Sequence, residues 1–193
     1  MELSGASVGM FKRGGADLVL HFIEECNTEL SEHLASLSRK RRIDGSDGDL
    51  DVGKFLEDAM ETRLRMVIPY ISSWPQAMTL MAHPAAAQDA IEQGANMVDE
   101  IWHYAGDTAV DMTWYAKRGL LGAVYAATEL YLLQDKSPDF QDTWQFMHRR
   151  MEDINTLKTA KNSIDNAAQD LTKIAGAVFT SIQNVVGANT KNR

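Results

Sequence analysis

The chain has 193 residues, 45% of them hydrophobic, with a formal net charge of −8. That length and composition support a domain with a real core, and the acidic balance argues against a general nucleic-acid binder. Cys26 is the only cysteine, which excludes an intramolecular disulfide. No apolar run approaches the roughly 20 residues that span a bilayer.

The opening MELSGASVGMFKRGG has neither an apolar signal-peptide core nor a long Arg/Ser-rich run. A soluble or peripheral protein, processed or shortened at the front, is the expectation. From Asp17 to Arg39, Val19, Ile23, Cys26, Leu30, Leu34 and Leu37 recur at helical spacing. The basic run Arg39–Arg42 suits the C-terminal end of that helix. The Gly/Asp-rich stretch from Asp44 to Gly53 reads as a loop.

Helical spacing resumes from Lys54 to Tyr70 with Phe55, Leu56, Met60, Leu64 and Val67, and a short helix is expected from Gln76. Ala85 to Tyr104 places Ile91, Ala95, Val98 and Trp102 on one stripe that continues to Ala105, and Gly106 ends it. Thr113 to Gln134 is a long apolar helix. Ser137-Pro138-Asp139 then predicts a helix start, with Phe140, Trp144, Met147, Met151 and Ile154 on the buried face. Residues 155–170 read as a polar linker. Beyond it Leu171, Ile174, Val178, Phe179, Ile182, Val185 and Val186 share one helical face opposite Gly, Ser, Thr and Asn. Residues 155–193 carry five Lys/Arg and two Asp, a side-chain charge of +3 that leaves −11 for the rest. Such a face suits a helix lying in an anionic membrane interface.

Several motifs fall short of chemistry. Gly48–Phe55 resembles a phosphate loop, but Phe55 stands where a hydroxyl is needed and three acids would repel phosphate. Asp47, Asp49 and Asp51 have calcium-loop spacing, yet Val52 occupies the turn glycine's position. Glu100 and His103 form one Glu-x-x-His pair, where a di-iron bundle needs two plus two further glutamates. Asp99 and Asp107, four residues to either side, are expected to serve His103 as ion-pair partners. Cys26 lies on a buried stripe, and no nucleophile motif is present. The sequence therefore points away from an enzyme and toward no metal and no catalytic residues.

Asp111, Trp114, Tyr115 and Arg118 form a different constellation. Adjacent aromatics point about 100° apart on a helix, so both cannot face one core. Arg118 falls one turn from Trp114, and aromatics with arginine are the composition of interface hot spots.

Two resemblances follow from these residues. Ser4 to Phe22 is similar to the recognition-helix region of TetR-type regulators, without the preceding helices that would support it on DNA. More specifically, Met97–Asp107, Asp111–Arg118 and Thr128–Trp144, with Leu18–Phe22 and Glu61–Tyr70, resemble the coenzyme Q (ubiquinone) biosynthesis accessory family known as "Coq nine".

That resemblance implies an all-α, TetR-like bundle with a truncated N-terminal helix-turn-helix and a C-terminal amphipathic helix. It implies a remnant at 1–22, a lipid-binding bundle at 23–157, and a linker with membrane-contact helix at 158–193. It further implies a non-enzymatic homodimer without a cofactor, peripheral to the matrix side of the mitochondrial inner membrane. The ligand would be an isoprenoid quinone or phospholipid, and the partner the di-iron demethoxyubiquinone hydroxylase with its biosynthetic complex; nucleic acid is not expected. Asp111, Trp114, Tyr115 and Arg118, with Ile101 nearby, would meet that partner. Met81, Val98, Trp102, Tyr125 and Thr128 are the expected pocket. The alternative is a TetR-like ligand-sensing regulator; a di-iron enzyme is a third reading.

Overall fold

The computed structural model describes residues 13–44, 50–107 and 112–159. Among these every regular element is helical: α1 (Gly15–Asp44), α2 (Val52–Arg65), α3 (Trp74–Met81), α4 (Pro84–Tyr104), α5 (Met112–Leu132) and α6 (Gln141–Thr159), with short 3-10 turns at Ile68–Tyr70 and Pro138–Phe140. The all-α expectation is borne out. The expected division at residue 22 falls inside α1. The front end to residue 12 and the apolar face from Leu171 to Val186 lie outside the described residues.

The helices form where the apolar spacing placed them. Ile23, Cys26, Leu30 and Leu34 of α1 are buried, as are Phe55, Leu56, Met60 and Leu64 of α2. Leu30, Leu34 and the α2 residues join Met97, Val98, Ile101 and Trp102 of α4, Leu121 and Val124 of α5, and Met147, Met151 and Ile154 of α6 in the central core, while Ile23 packs with Val67 and Trp74. Leu30, Leu34, Met60, Leu64, Ile101, Leu121 and Leu132 are fully enclosed. Each such side chain contributes on the order of 2 kcal/mol.

Polar bonds set the register. Along α1, Arg13 donates to Asp89 and to the Ala85 carbonyl, Asn27 to the Gln93 carbonyl, Ser31 to Glu100, and Arg41 to the Tyr104 carbonyl. Both positions rise together, so α1 and α4 run in the same direction. On the other side, His148 meets Glu57 while Asp139 meets Arg65, which makes α2 and α6 antiparallel. The Tyr131 and Phe146 rings stack at 4.7 Å between α5 and α6.

Four expectations need correction. Ile91 is 73% exposed, because the first half of α4 meets α1 through the small residues Ala86 and Ala90. The helix expected from Ser137 begins at Gln141: Asp139 and Phe140 adopt φ of 52° and 56°, and Asp135 accepts from the Ser137 and Thr143 amides and the Thr143 hydroxyl. Phe140 and Trp144 are only partly buried. Finally, α6 continues to Thr159, past the start assigned to the linker.

Candidate functional site

The α4–α5 corner is built on a helix stop. Gly106 takes φ of +83°, a conformation that favours glycine. Its amide donates to the His103 carbonyl, and the Asp107 amide to the Trp102 carbonyl. This turn drives the Asp107 side chain inward, where it is 5% exposed and pairs with Lys117 and Arg118. Arg118 also bonds Asp99. The acids flanking His103 thus serve the two α5 cations, correcting the expected pairing, and the His103 ring packs edge-on to Tyr104.

Arg118 stacks its guanidinium 4.1 Å from the Trp114 ring centre. Trp114 in turn meets Tyr115 edge-on at 4.7 Å, and Tyr115 is 68% exposed. The expected patch therefore assembles in layers: an ion-paired Arg118 beneath, Trp114 against it, Tyr115 outermost. Ile101 is removed from the surface, being fully buried in the core, and supports the corner from below. Asp111 lies outside the described residues.

Beside this corner is a small, shallow recess, partly open to solvent, lined by Leu56, Trp102, Lys117, Leu120, Leu121, Met151 and Ile154. Lys117 Nζ sits 5.4 Å from the Trp102 ring centre, so a cation marks an otherwise apolar surface. Of the five residues expected to line a pocket, Trp102 does so here. Val98 is core; Thr128 is fully enclosed and donates to the Val124 carbonyl. Met81 packs beside Ile23, Val67 and Trp74. Tyr125 is partly buried against the core, and desolvation pushes its hydroxyl pKa up. Leu120 and Leu121 were missed because a uniformly apolar α5 does not reveal which face is left open.

No group of three or more potential metal ligands occurs among the described residues, and no described helix is long and apolar enough to cross a membrane. The Glu100 of the lone Glu-x-x-His accepts from Ser31, an interhelical bond.

The sequence profile of the COQ9 family matches residues 87–158. This span holds the whole corner and, apart from Leu56, the whole recess. Similarity extends further in individual relatives. The chain is 39% identical over 192 residues to "Ubiquinone biosynthesis protein COQ9, mitochondrial" of Xenopus tropicalis, covering 99% of this chain and 60% of that protein. It is 38% identical over the same length to the Homo sapiens protein of that name, again covering 99% and 60%. The chain is similar to COQ9 proteins over nearly its whole length. The Drosophila melanogaster COQ9 protein is 38% identical over 93% of this chain. The chain spans about three fifths of the length of the Xenopus tropicalis and human relatives.

Proposed function

We propose that this chain is a non-catalytic, lipid-binding accessory protein of ubiquinone biosynthesis. It binds an isoprenoid quinone intermediate, with phospholipid as an alternative occupant, and presents it to the di-iron demethoxyubiquinone hydroxylase. Similarity to relatives that carry ubiquinone biosynthesis in their names supports the pathway. The observation that carries the mechanism is the adjacency of an apolar recess to an exposed aromatic corner. Lys117 lines the first, Arg118 underlies the second, and Asp107 holds both cations.

The physical logic is delivery. A polyprenyl quinone is nearly insoluble, and each CH₂ buried gains about 0.8 kcal/mol. The recess is far smaller than an ordinary ligand pocket of roughly 300 Å³ and upward. A ligand therefore enters only as the helices part around it, while the rest of the tail stays at the bilayer. A partner docked on Tyr115 and Trp114 would stand beside the recess opening and receive the ligand without its crossing water. The proposed setting is the matrix side of the inner mitochondrial membrane, as a peripheral homodimer.

Mass spectrometry of lipids copurifying with the protein tests this reading. An isoprenoid quinone or quinone precursor is expected. A protein free of isoprenoid and of every other lipid would overturn it. The regulator alternative gains no support from the curated relatives, whose names place them in ubiquinone biosynthesis.

A further inference from the structure

One end of the bundle carries a surface that neither the corner nor the recess includes. Arg41 stacks 4.9 Å from the Phe55 ring centre and donates to the Tyr104 carbonyl, so the end of α1 meets the start of α2 and the end of α4. The antiparallel pairing of α2 with α6 brings the far end of α6 to the same place. This is also the end that holds the recess: Leu56 follows Phe55, Trp102 precedes Tyr104 by two residues, and Met151 and Ile154 lie in the second half of α6.

Here α1 runs Arg39-Lys40-Arg41-Arg42-Ile43-Asp44. Residues 33–44 hold four Lys/Arg and one acid, in a chain whose net charge is −8. Arg39, Lys40 and Arg42 are exposed, and none of the three forms an ion pair among the described residues; Arg42 reaches only the Ser38 hydroxyl. Lys54, in the first turn of α2, is exposed as well, and Asp51 beside it turns its carboxylate to the Lys54 amide as a cap. Asp47 and Asp49 lie outside the described residues. Cations at a helix C-terminus complement its dipole. That accounts for the charge but not for Ile43, which is 84% exposed beside them, nor for the exposed Val52 at the start of α2. Apolar side chains set among unpaired cations suit a lipid interface, where hydrocarbon enters below the head groups while Lys and Arg stems reach the phosphates.

We propose that this end of the bundle is a docking surface for an anionic phospholipid bilayer, with Arg39, Lys40, Arg42 and Lys54 at the phosphates and Ile43 and Val52 between the head groups. The contact belongs to the folded body and is separate from the apolar face of residues 171–186. Ile43 and Val52 favour lipid over nucleic acid, whose phosphates offer them no hydrocarbon. Each cation near an anionic leaflet raises affinity about fivefold, so a handful suffices for reversible attachment. Docked in this way, the recess stands at the bilayer, and α6 ends at the same surface. That orientation, unlike the docking itself, rests on the reading of the recess as the place where lipid enters.

The test uses the full chain and sedimentation with dioleoylphosphatidylcholine vesicles, with and without cardiolipin. The triple variant Arg39→Gln, Lys40→Gln, Arg42→Gln leaves the stacked Arg41 in place. Its partition onto cardiolipin vesicles is expected to fall at least tenfold at low salt, with partition onto the neutral vesicles unchanged, and the salt dependence of the wild type should largely disappear. If that variant fails to fold, Ile43→Cys carries the test. Cys26 is buried, so an environment-sensitive fluorophore labels the introduced thiol, and its emission is expected to shift to the blue on cardiolipin vesicles. A folded triple variant that partitions like the wild type, or a label whose emission does not change on bound vesicles, overturns the docking surface. Wild-type protein that ignores cardiolipin, or that prefers polyuridylic acid to the vesicles, overturns it too. None of these outcomes touches the carrier reading, which fails separately if no lipid copurifies.

Discussion

Arg118 stacks 4.1 Å from the ring centre of Trp114 while its Nε and Nη1 are held by Asp99 and Asp107. The indole is thus pinned by a cation that is itself pinned, and Tyr115 is left as the exposed outer layer. A pre-positioned aromatic binds with less entropic loss than a free one. Tyr115→Ala is therefore expected to leave Tm nearly unchanged, since the side chain is mostly exposed, and to weaken hydroxylase binding by about 2 kcal/mol or more, as for an interface hot spot. Trp114→Lys is expected to abolish binding while the fold survives. Calorimetric titration with the hydroxylase checks both; undiminished affinity would make the corner a purely internal support.

The turn that aims Asp107 gives a separable prediction. A Cβ added at Gly106 meets nothing within 4 Å, yet φ there is +83°. Gly106→Ala should therefore cost about 1–2 kcal/mol from backbone strain alone. Asp107→Ala should cost more, about 3 kcal/mol, because it strips a nearly buried acid from both Lys117 and Arg118. Urea unfolding of the two variants measures the order; Gly106→Ala as the worse of the pair would contradict it.

Much of the helical scaffold was legible because burial imposes a period. The α1 and α2 stripes identified from spacing are the ones the core encloses. The spacing failed at Ile91, where alanines rather than large residues make the contact and let the helices approach closely. Polar partners were less legible still. Nothing in the sequence near Arg63 announces Asn27, and nothing near Arg118 decides between His103 and the arginine as the owner of Asp99 and Asp107. Those pairings depend on which helix faces meet. At the candidate site, Trp114, Tyr115 and Arg118 were readable because two large adjacent aromatics cannot share one core. Leu120 and Leu121 were not, since an all-apolar helix carries no sign of its open face.

Residues 163–193 lie outside the described residues, and their proposed role at the bilayer stands on the one-sided apolar pattern from Leu171 to Val186 and the positive charge of the segment. Deleting them is expected to weaken sedimentation with cardiolipin-containing liposomes. An unchanged partition would assign membrane contact elsewhere.

Asp135 predicts acid sensitivity at the start of α6. Burial alone would raise its pKa, but bonds from the Thr143 hydroxyl and amide and from Ser137 outweigh that and bring it to about 2. A lowered acid pKa contributes stability that is present above the unfolded value of about 3.9 and is lost as pH falls through the folded one. Asp135→Ala also removes the acceptor that fixes the turn, at a cost of about 1–2 kcal/mol. Unfolding midpoints at pH 6 and pH 3 should differ more for the wild type than for the variant.

Glu129 predicts the opposite slope. Burial raises its pKa, opposed by the Trp74 hydrogen bond and the Arg63 charge. A raised acid pKa means the folded state holds its proton longer than the unfolded chain does. The contribution is therefore fully present below the unfolded value of about 4.3, and it is lost as pH rises through the folded value. Glu129→Gln keeps an oxygen for Trp74 and removes the charge that must be desolvated. The variant is expected to equal or exceed the wild type in stability at pH 8 and to lose that advantage near pH 4. Denaturant titrations across this range decide the matter: a variant that is weaker at pH 8 than at pH 4, relative to wild type, would mean that Glu129 is stabilised as a carboxylate, with Arg63 as its effective counter-ion.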